Sequence, residues 1–226
     1  GQGDFYYAPP SGFLALCSAN LPDPAIDPAE DETPADHFNT VLYTGNAGTQ
    51  SITGVGFSPD WLWVKNRGTT YSHALVDSVR GATLSLSSDS TAAERTSDIT
   101  SLDADGFSLQ FVTATGSYSE NQGSQAYVAW NWLAGTAFSN DASATSVGSI
   151  DSEGQVNTKA GFSIIKFTTD GETSGTVAHG LGVQPQLIIG KTRNHAVPWY
   201  VQTPLLATNL AGILNATDAF YNPGYN

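Results

Sequence analysis

Short runs of apolar and aromatic residues, separated by clusters of Gly, Pro, Asn and Ser, recur along this chain. Residues 106–111 and 126–132 alternate between apolar and polar positions, which is the period of a half-buried strand. Residues 61–64 and 187–189 are apolar without interruption and too few for a core helix, which is typical of strands covered on both faces. The pattern predicts roughly seven or eight strands between residues 38 and 134, and therefore an all-β fold.

The turn signals predict how neighbouring strands connect. Residues 45–48, Gly-Asn-Ala-Gly, separate a strand at 41–44 from one at 49–53, and Asn and Gly tolerate the positive φ of a tight hairpin. We therefore expect these two strands to pair with each other. Residues 90–101 are polar and predict a loop or one short helical turn that starts near Ser90. Residues 135–157 are rich in Ser, Ala, Thr and Gly and predict a connector.

One stretch of the chain occurs twice. Residues 54–67 and 180–193 each read Gly-apolar-Gly-apolar-polar-Pro, then a polar residue, a run of large apolar residues and Lys-x-Arg. Pro185 follows Pro59, and Arg193 follows Arg67, by the same 126 residues. Because Gly and Pro determine where the backbone turns, equal spacing implies equal turns and an equivalent strand. The chain therefore contains a duplicated module.

The duplication predicts two tandem β-sandwich modules of jelly-roll or lectin-like type, the second incomplete, behind an extended N-terminal arm. Counterparts of the strand at 126–132 would fall beyond the end of this chain, so we expect the second copy to carry an open apolar edge. We expect identical subunits or a neighbouring protein to cover that edge. The predicted parts are an arm and linker at 1–36, a first module at 37–135, a linker at 136–158 and a truncated second module at 159–226.

The amino-acid composition of the chain limits the classes of partner that it is expected to bind. The formal net charge is −13 with only 8 Lys and Arg among 226 residues, which argues against a nucleic-acid binder, because such proteins need a basic surface. Cys17 is the single cysteine, so neither a disulfide framework nor a thiolate metal site can form within one chain. No apolar run reaches the roughly 18 residues of a membrane span.

Candidate chemistry is sparse. Asp103 and Asp105 resemble the start of a calcium loop, but the later Glu ligand is absent, and a turn before the next strand is the preferred interpretation. His73 and Asp77 could belong to a hydrolase triad, yet their spacing along a strand favours structural roles. We expect Asp77 to form an ion pair with Arg80 that braces the turn there. No catalytic residue, cofactor or metal site is predicted.

Aromatic side chains are the best candidates for glycan contact, because flat rings stack on the C–H faces of sugars. The candidates are Tyr71, Tyr118, Trp130 and Trp132, although the two tryptophans also suit a core.

The motifs Thr-Gly-Asn at 44–46, the repeated stretch at 54–67, Asp-Ser-Val-Arg-Gly at 77–81 and Tyr-Val-Ala-Trp-Asn-Trp at 127–132 resemble small β domains of tail-fibre and other virion-associated proteins of tailed bacteriophages. Residues 1–16 are similar to the end of the SPRY-like domains often placed before such modules. The resemblance implies a non-enzymatic structural or adhesive component of a virion, either a tail fibre or a capsid decoration protein.

The same resemblance implies a location at the surface of the virion. The implied partners are identical subunits, neighbouring virion proteins and a host-surface glycan, without nucleic acid or membrane insertion. A carbohydrate-binding, lectin-like module is the alternative, and a glycan-cleaving enzyme is the third.

Overall fold

A computed structural model of the chain describes residues 24–27, 30–111, 118–172, 174–206 and 210–222. The chain forms two units, Gly1–Thr33 and Pro34–Asn226. In the first unit, the N–H groups of Glu30 and Glu32 donate to the carbonyl of Asp27 at 3.0 and 3.2 Å, which closes a turn within the predicted acidic linker. The residues with the SPRY-like resemblance lie outside the described part of the chain.

The second unit is all-β, as predicted. Besides a 3₁₀ turn at Pro34–Asp36, its described residues form one short helix, α1 (Ala142–Thr145), and fifteen strands. The strands are β1 (Phe38–Thr44), β2 (Thr49–Thr53), β3 (Trp61–Asn66), β4 (Ala74–Asp77), β5 (Leu84–Ser85), β6 (Arg95–Thr96), β7 (Ile99–Asp103), β8 (Gly106–Gln110), β9 (Ala126–Trp132), β10 (Thr136–Asn140), β11 (Ser152–Asn157), β12 (Phe162–Phe167), β13 (Ile188–Gly190), β14 (Tyr200–Gln202) and β15 (Gly212–Ile213).

Two antiparallel sheets share one core in the first copy. The first sheet has the strand order β1-β9-β3-β4, and the second sheet has the order β2-β8-β7. Leu62 and Val64 of β3 are buried in the same cluster as Phe107 and Leu109 of β8. Full burial of side chains of this size contributes about 1.5–3 kcal/mol each. This core is the main hydrophobic contribution to the stability of the first copy.

The prediction that residues 45–48 form a hairpin is wrong. Strand β1 pairs with β9 and strand β2 pairs with β8, so the chain crosses from the first sheet to the second at these residues. Asn121 holds the crossing, because its side chain accepts from the N–H of Asn46 at 3.0 Å and donates to the carbonyl of Gly48 at 2.7 Å. That partner lies far along the chain, where no turn pattern could reveal it.

The polar stretch at 90–101, predicted as a loop, contains β6 and most of β7. Buried carboxylates order it: Asp98 accepts from the N–H groups of Glu120 and Asn121 at 2.9 and 3.1 Å. Glu120 in turn accepts from the N–H of Asp98 at 2.9 Å and from Arg95 at 2.5 Å. Buried carboxylates are retained where such donors compensate their desolvation.

The predicted connector also contains regular structure. Strands β10 and β11 form a third sheet with β12, in the order β10-β11-β12. Gly154 shows why small residues are needed there, since a Cβ at this position would lie 2.2 Å from the carbonyl oxygen of Ile164. The small residues that predicted a connector are needed because neighbouring strands approach each other closely there.

The duplication extends to strand pairing. The fourth sheet, with the order β13-β14-β15, repeats the pairing of β3 with β4 and the bridge between Leu75 and Leu86, with the opposed residues 126 positions later. The equivalent pairs are Leu62–Val76 with Ile188–Gln202, Trp63–Leu75 with Ile189–Val201, and Leu75–Leu86 with Val201–Gly212.

The lysines of the Lys-x-Arg motif repeat as well. Lys65 Nζ donates to the carbonyl of Thr69 at 3.1 Å, and Lys191 Nζ donates to the carbonyl of His195 at 2.9 Å. In both copies the ammonium group therefore ties the end of a strand to the loop four residues on.

The two copies differ in how much of the repeated stretch is covered. Leu62 is 0% exposed, whereas its equivalent Ile188 is 49% exposed. Phe57 is 8% exposed, whereas its equivalent Val183 is 69% exposed. Strand β3 has β9 beside it, and β13 has no strand on that side among the described residues. The prediction that residues 187–189 are covered on both faces is therefore wrong, because the neighbouring strand that covers β3 has no counterpart beside β13 among the described residues.

We expect the equivalent positions to respond differently to truncation. Leu62→Ala should lower the free energy of unfolding by about 2–5 kcal/mol, because it opens a cavity in a packed core. Ile188→Ala should lower it by less than about 1 kcal/mol, because half of that side chain already meets solvent. Urea denaturation followed by tryptophan fluorescence, at about 1 μM protein to limit association, measures both. Equal losses would contradict the difference in burial.

Candidate functional site

The outer face of the first sheet carries a layer of aromatic rings that the second copy covers. Trp61 alternates with Leu62 along β3, so its ring lies on the face opposite the core. The ring of Phe162 in β12 stacks on Trp61 with centroids 5.6 Å apart and lies 6.2 Å from Trp132. Trp199 packs against Leu75, and its Nε1 donates to the carbonyl of Ser87 at 2.7 Å. The strand at 61–66 is therefore covered on both faces, as its sequence predicted.

An ion network joins the same two copies. The predicted pair of Asp77 with Arg80 is confirmed, at 2.5 Å, and Arg80 also reaches Glu94 at 2.7 Å. Arg193, from the second Lys-x-Arg motif, contacts the other oxygen of Glu94 at 2.7 Å. Burial alone would raise the pKa of Glu94, but hydrogen bonds from Arg193 and Arg80 outweigh it and lower the pKa.

A cleft of about 390 Å³ opens beside this aromatic layer. It lies between the end of β15 and the loop that follows β5, so both copies contribute to its walls. The lining residues that carry a ring or a polar group are Trp63, His73, Ser88, Asp89, Asn215 and Thr217.

His73 and Trp63 are fixed to each other in this cleft. Trp63 Nε1 donates to His73 Nδ1 at 2.7 Å, so the imidazole accepts at Nδ1 and carries its proton at Nε2. Burial lowers the pKa of His73; nearby Asp89 acts in the opposite direction, and Lys65 acts in the same direction as burial. The imidazole is therefore neutral near pH 7 and presents Nε2–H as a donor.

Two equivalent loops face each other across the cleft. Asp89 Oδ1 accepts from the N–H of His73 at 3.2 Å, and Asn215 Oδ1 accepts from the N–H of Trp199 at 2.9 Å. Both partners of the second bond follow those of the first by 126 residues. Asp89 and Asn215 therefore occupy equivalent positions in the two repeats, and both line the cleft.

A second candidate feature is the open edge of the fourth sheet. The N–H of Leu214 donates to the carbonyl of Trp199 at 3.1 Å. Because backbone groups of alternate residues point to the same side of a strand, the N–H and C=O of Val201 also point towards β15. Ile189 lies opposite Val201, and its N–H and C=O therefore point away from β14, towards the open edge. Around them the side chains of Leu187, Ile188 and Ile189 are exposed.

The carboxylates of the calcium-like motif serve a turn. Asp105 accepts from the N–H groups of Gly54 and Gly56 at 3.0 and 2.6 Å, and Asp103 accepts from the Ser108 hydroxyl at 2.6 Å. The hydrogen bond from Gly56, followed by that from Gly54, lowers the pKa of Asp105. Within the described residues no group of three or more His, Cys, Asp or Glu is placed to hold a metal ion.

The four predicted glycan-contact residues do not form one site. Tyr118 lies under the guanidinium of Arg95, 4.4 Å from the ring centroid. Tyr71 uses its backbone carbonyl to accept from Lys65 at 2.6 Å. Trp130 meets Trp63 edge-on at 6.2 Å, and Trp132 packs in the aromatic layer, 4.6 Å from Trp61. Their role in glycan contact stays a prediction.

Sequence reasoning missed the cleft because its walls come from distant segments. His73 was singled out as a strand residue beside Asp77, but its ring bonds to Trp63 on the neighbouring strand. The available signal was the repeat itself, since the 126-residue offset relates Asp89 to Asn215.

Comparisons with known proteins give a family but no characterised relative. A family model described as a domain of unknown function (DUF7483) matches residues 33–225. No curated protein and no solved structure matches the chain. None of the helices among the described residues is long and apolar enough to cross a membrane.

The burial of His73, which lowers its pKa, predicts a pH dependence of stability. The unfolded chain protonates this histidine near its ordinary pKa of 6.5, whereas the folded pKa is lower. Between the two values the unfolded state binds more protons, so stability is lost as the pH falls through 6.5 towards the folded pKa. We expect wild type to lose more stability than His73→Gln between about pH 7.5 and 5.5 in urea denaturation.

His195→Gln is the matched control, because it removes an exposed histidine and keeps His73. It should retain the wild-type loss. An unchanged pH dependence in His73→Gln would show that the imidazole is not held in this way.

Proposed function

The chain belongs to the DUF7483 family, and we propose that it is a non-enzymatic structural component of a bacteriophage virion that assembles through the open edge of its fourth sheet. In this proposal it is a tail-fibre or capsid decoration protein at the surface of the particle. The observation that carries the assembly role is that β13 has no neighbour on one side within the described residues, whereas its equivalent β3 pairs with β9 on that side.

In the first copy, the strand side that is equivalent to the open edge of β13 is paired with a neighbouring strand. There β9 pairs with β3 over six residues, from Trp61 opposite Trp132 to Asn66 opposite Tyr127. In the second copy the backbone of Ile189 points to the corresponding side, and exposed apolar side chains flank it. Unpaired backbone groups beside apolar surface favour addition of another strand.

We propose a second copy of this chain as the occupant. Two identical β13 edges can pair antiparallel about a two-fold axis, so that each Ile189 meets the polar groups of its counterpart. Strand β9 of another copy is not free to serve, because it is central in its own sheet. Pairing would join two three-stranded sheets into one of six strands.

The proposal includes a finer description of the fold. The first copy corresponds to a β-sandwich, since two sheets contribute to one core. The second corresponds to a module whose described residues include the equivalents of β3, β4 and the bridge at Leu86, beside a separate three-stranded sheet. Of the motifs that resemble virion-associated proteins, the stretch at 54–67 recurs at 180–193 and the other three lie in the first copy; their resemblance supports a role in building a particle surface.

Carbohydrate binding is the second candidate function, and the cleft beside Trp63 favours it. Glycoside hydrolysis uses two carboxylates, whereas Asp89 is the one carboxylate that lines this cleft among the described residues. We therefore place binding ahead of cleavage.

Light scattering coupled to size exclusion tests the assembly. Wild type at roughly 100 μM should elute as a dimer or larger assembly, because association is driven by mass action. Ile189→Pro removes the N–H at the open edge, and Ile188→Lys places a charge beside it; both should give monomers with an unchanged far-ultraviolet circular dichroism spectrum.

Val147→Lys is the matched control, since Val147 is 52% exposed, close to the 49% of Ile188, but lies away from β13. It should assemble like wild type. A cooperatively folding wild-type monomer at this concentration would refute the assembly role.

A further inference from the structure

We propose that the cleft between the two repeats binds one hexose-sized unit of a neutral surface saccharide. The inference gives the carbohydrate-binding candidate a site, and it does not depend on pairing through β13. It rests on the shape of the cleft, its apolar wall and the hydrogen-bonding groups around it.

The cleft has the volume of a small-ligand site and walls from two repeats. Its volume of about 390 Å³ lies within the roughly 300–1,000 Å³ of typical ligand pockets. Its walls come from two repeats held together by stacked rings and by the Glu94 ion network. The opposing loops are thus fixed before a ligand arrives, which reduces the ordering cost of binding.

Trp63 supplies a rigid apolar wall. Its Nε1 is bonded to His73, and its ring meets Trp130 edge-on at 6.2 Å and Trp61 at 5.7 Å. A sugar presents a C–H face that packs on such a ring, whereas its hydroxyls need partners around the rim. Because the indole N–H of Trp63 already donates to His73, the ligand does not have to supply an acceptor for it.

The polar groups of the lining suit hydroxyls, which both donate and accept. His73 Nε2–H is a donor, and Asp89 keeps Oδ2 as an acceptor because its bond to the chain uses Oδ1. Asn215 keeps its Nδ2 as a donor, since Oδ1 accepts from Trp199, and the Thr217 hydroxyl can do either. Two donors, one acceptor and one hydroxyl therefore line the cleft without partners among the described residues.

Charge distinguishes a neutral saccharide from other small ligands. The Asp89 carboxylate and a net charge of −13 disfavour phosphates, nucleotides and acidic sugars. His73 is held neutral by burial and by the bond from Trp63, so it does not offset that charge near pH 7.

Saturation-transfer difference NMR tests the site with three separate probes: the methyl glycosides of glucose, galactose and N-acetylglucosamine, each up to about 50 mM, since single sugars bind at millimolar strength. At least one should receive saturation from wild type. Asn215→Asp keeps the acceptor for Trp199 but replaces the Nδ2 donor with an oxygen, and Thr217→Val removes the hydroxyl. Each should weaken binding about tenfold or more.

Asn194→Asp is the control, because it makes the same change of charge at an exposed loop position, and it should bind like wild type. The monomeric Ile189→Pro variant should also bind, which separates this site from assembly. Absence of signal from all three probes, or a signal unchanged in Asn215→Asp and Thr217→Val, would overturn the proposal.

Discussion

The stacking of Phe162 on Trp61 and Trp132 is the contact on which the arrangement of the two copies depends. A sheet with one face in a core and four tryptophans on the other cannot leave that second face in water without a large apolar patch. The second copy covers it with rings from β12 and from the segment before β14. The ion network through Glu94 then fixes the lateral position of the two copies, because a carboxylate shared by two guanidinium groups tolerates little displacement.

The repeated stretch forms the same kind of turn and strand in both copies, but the surroundings of that strand differ between the copies. Lys65 and Lys191 make the same bond, and Trp63 and Ile189 occupy the same register, yet among the described residues a strand lies beside that register in the first copy alone. The first repeat therefore contributes the hydrophobic core. The second repeat contributes the rings that cover the outer face of the first sheet, and the open edge at β13. Both candidate sites follow from this division, since the cleft lies where the copies meet and the open edge belongs to the copy in which β13 has no second neighbour among the described residues.

Local patterns predicted individual strands well and their partners poorly. Alternation placed β9 at residues 126–132, and the Gly-Pro signature located both core strands, because these signals depend on neighbouring residues only. The hairpin at 45–48 was misjudged because the bonds of Asn121 decide its course, and the strands at 95–103 were missed because buried carboxylates order them. The ion pair of Asp77 with Arg80 was predictable from spacing; the contact of Arg193 with Glu94 joins residues that no spacing relates.

The position of β9 in the first sheet also sets an order of folding. Strand β9 pairs with both β1 and β3, so the sheet is complete only after residue 132 has been added to the chain. Such distant pairing makes closure slow relative to local turns. Phe162 can stack only after Trp132 is in place, so the second repeat acquires its structure on a surface that the first must finish. In a growing chain, the packing of the second repeat on the aromatic layer therefore follows the addition of β9 to the first sheet.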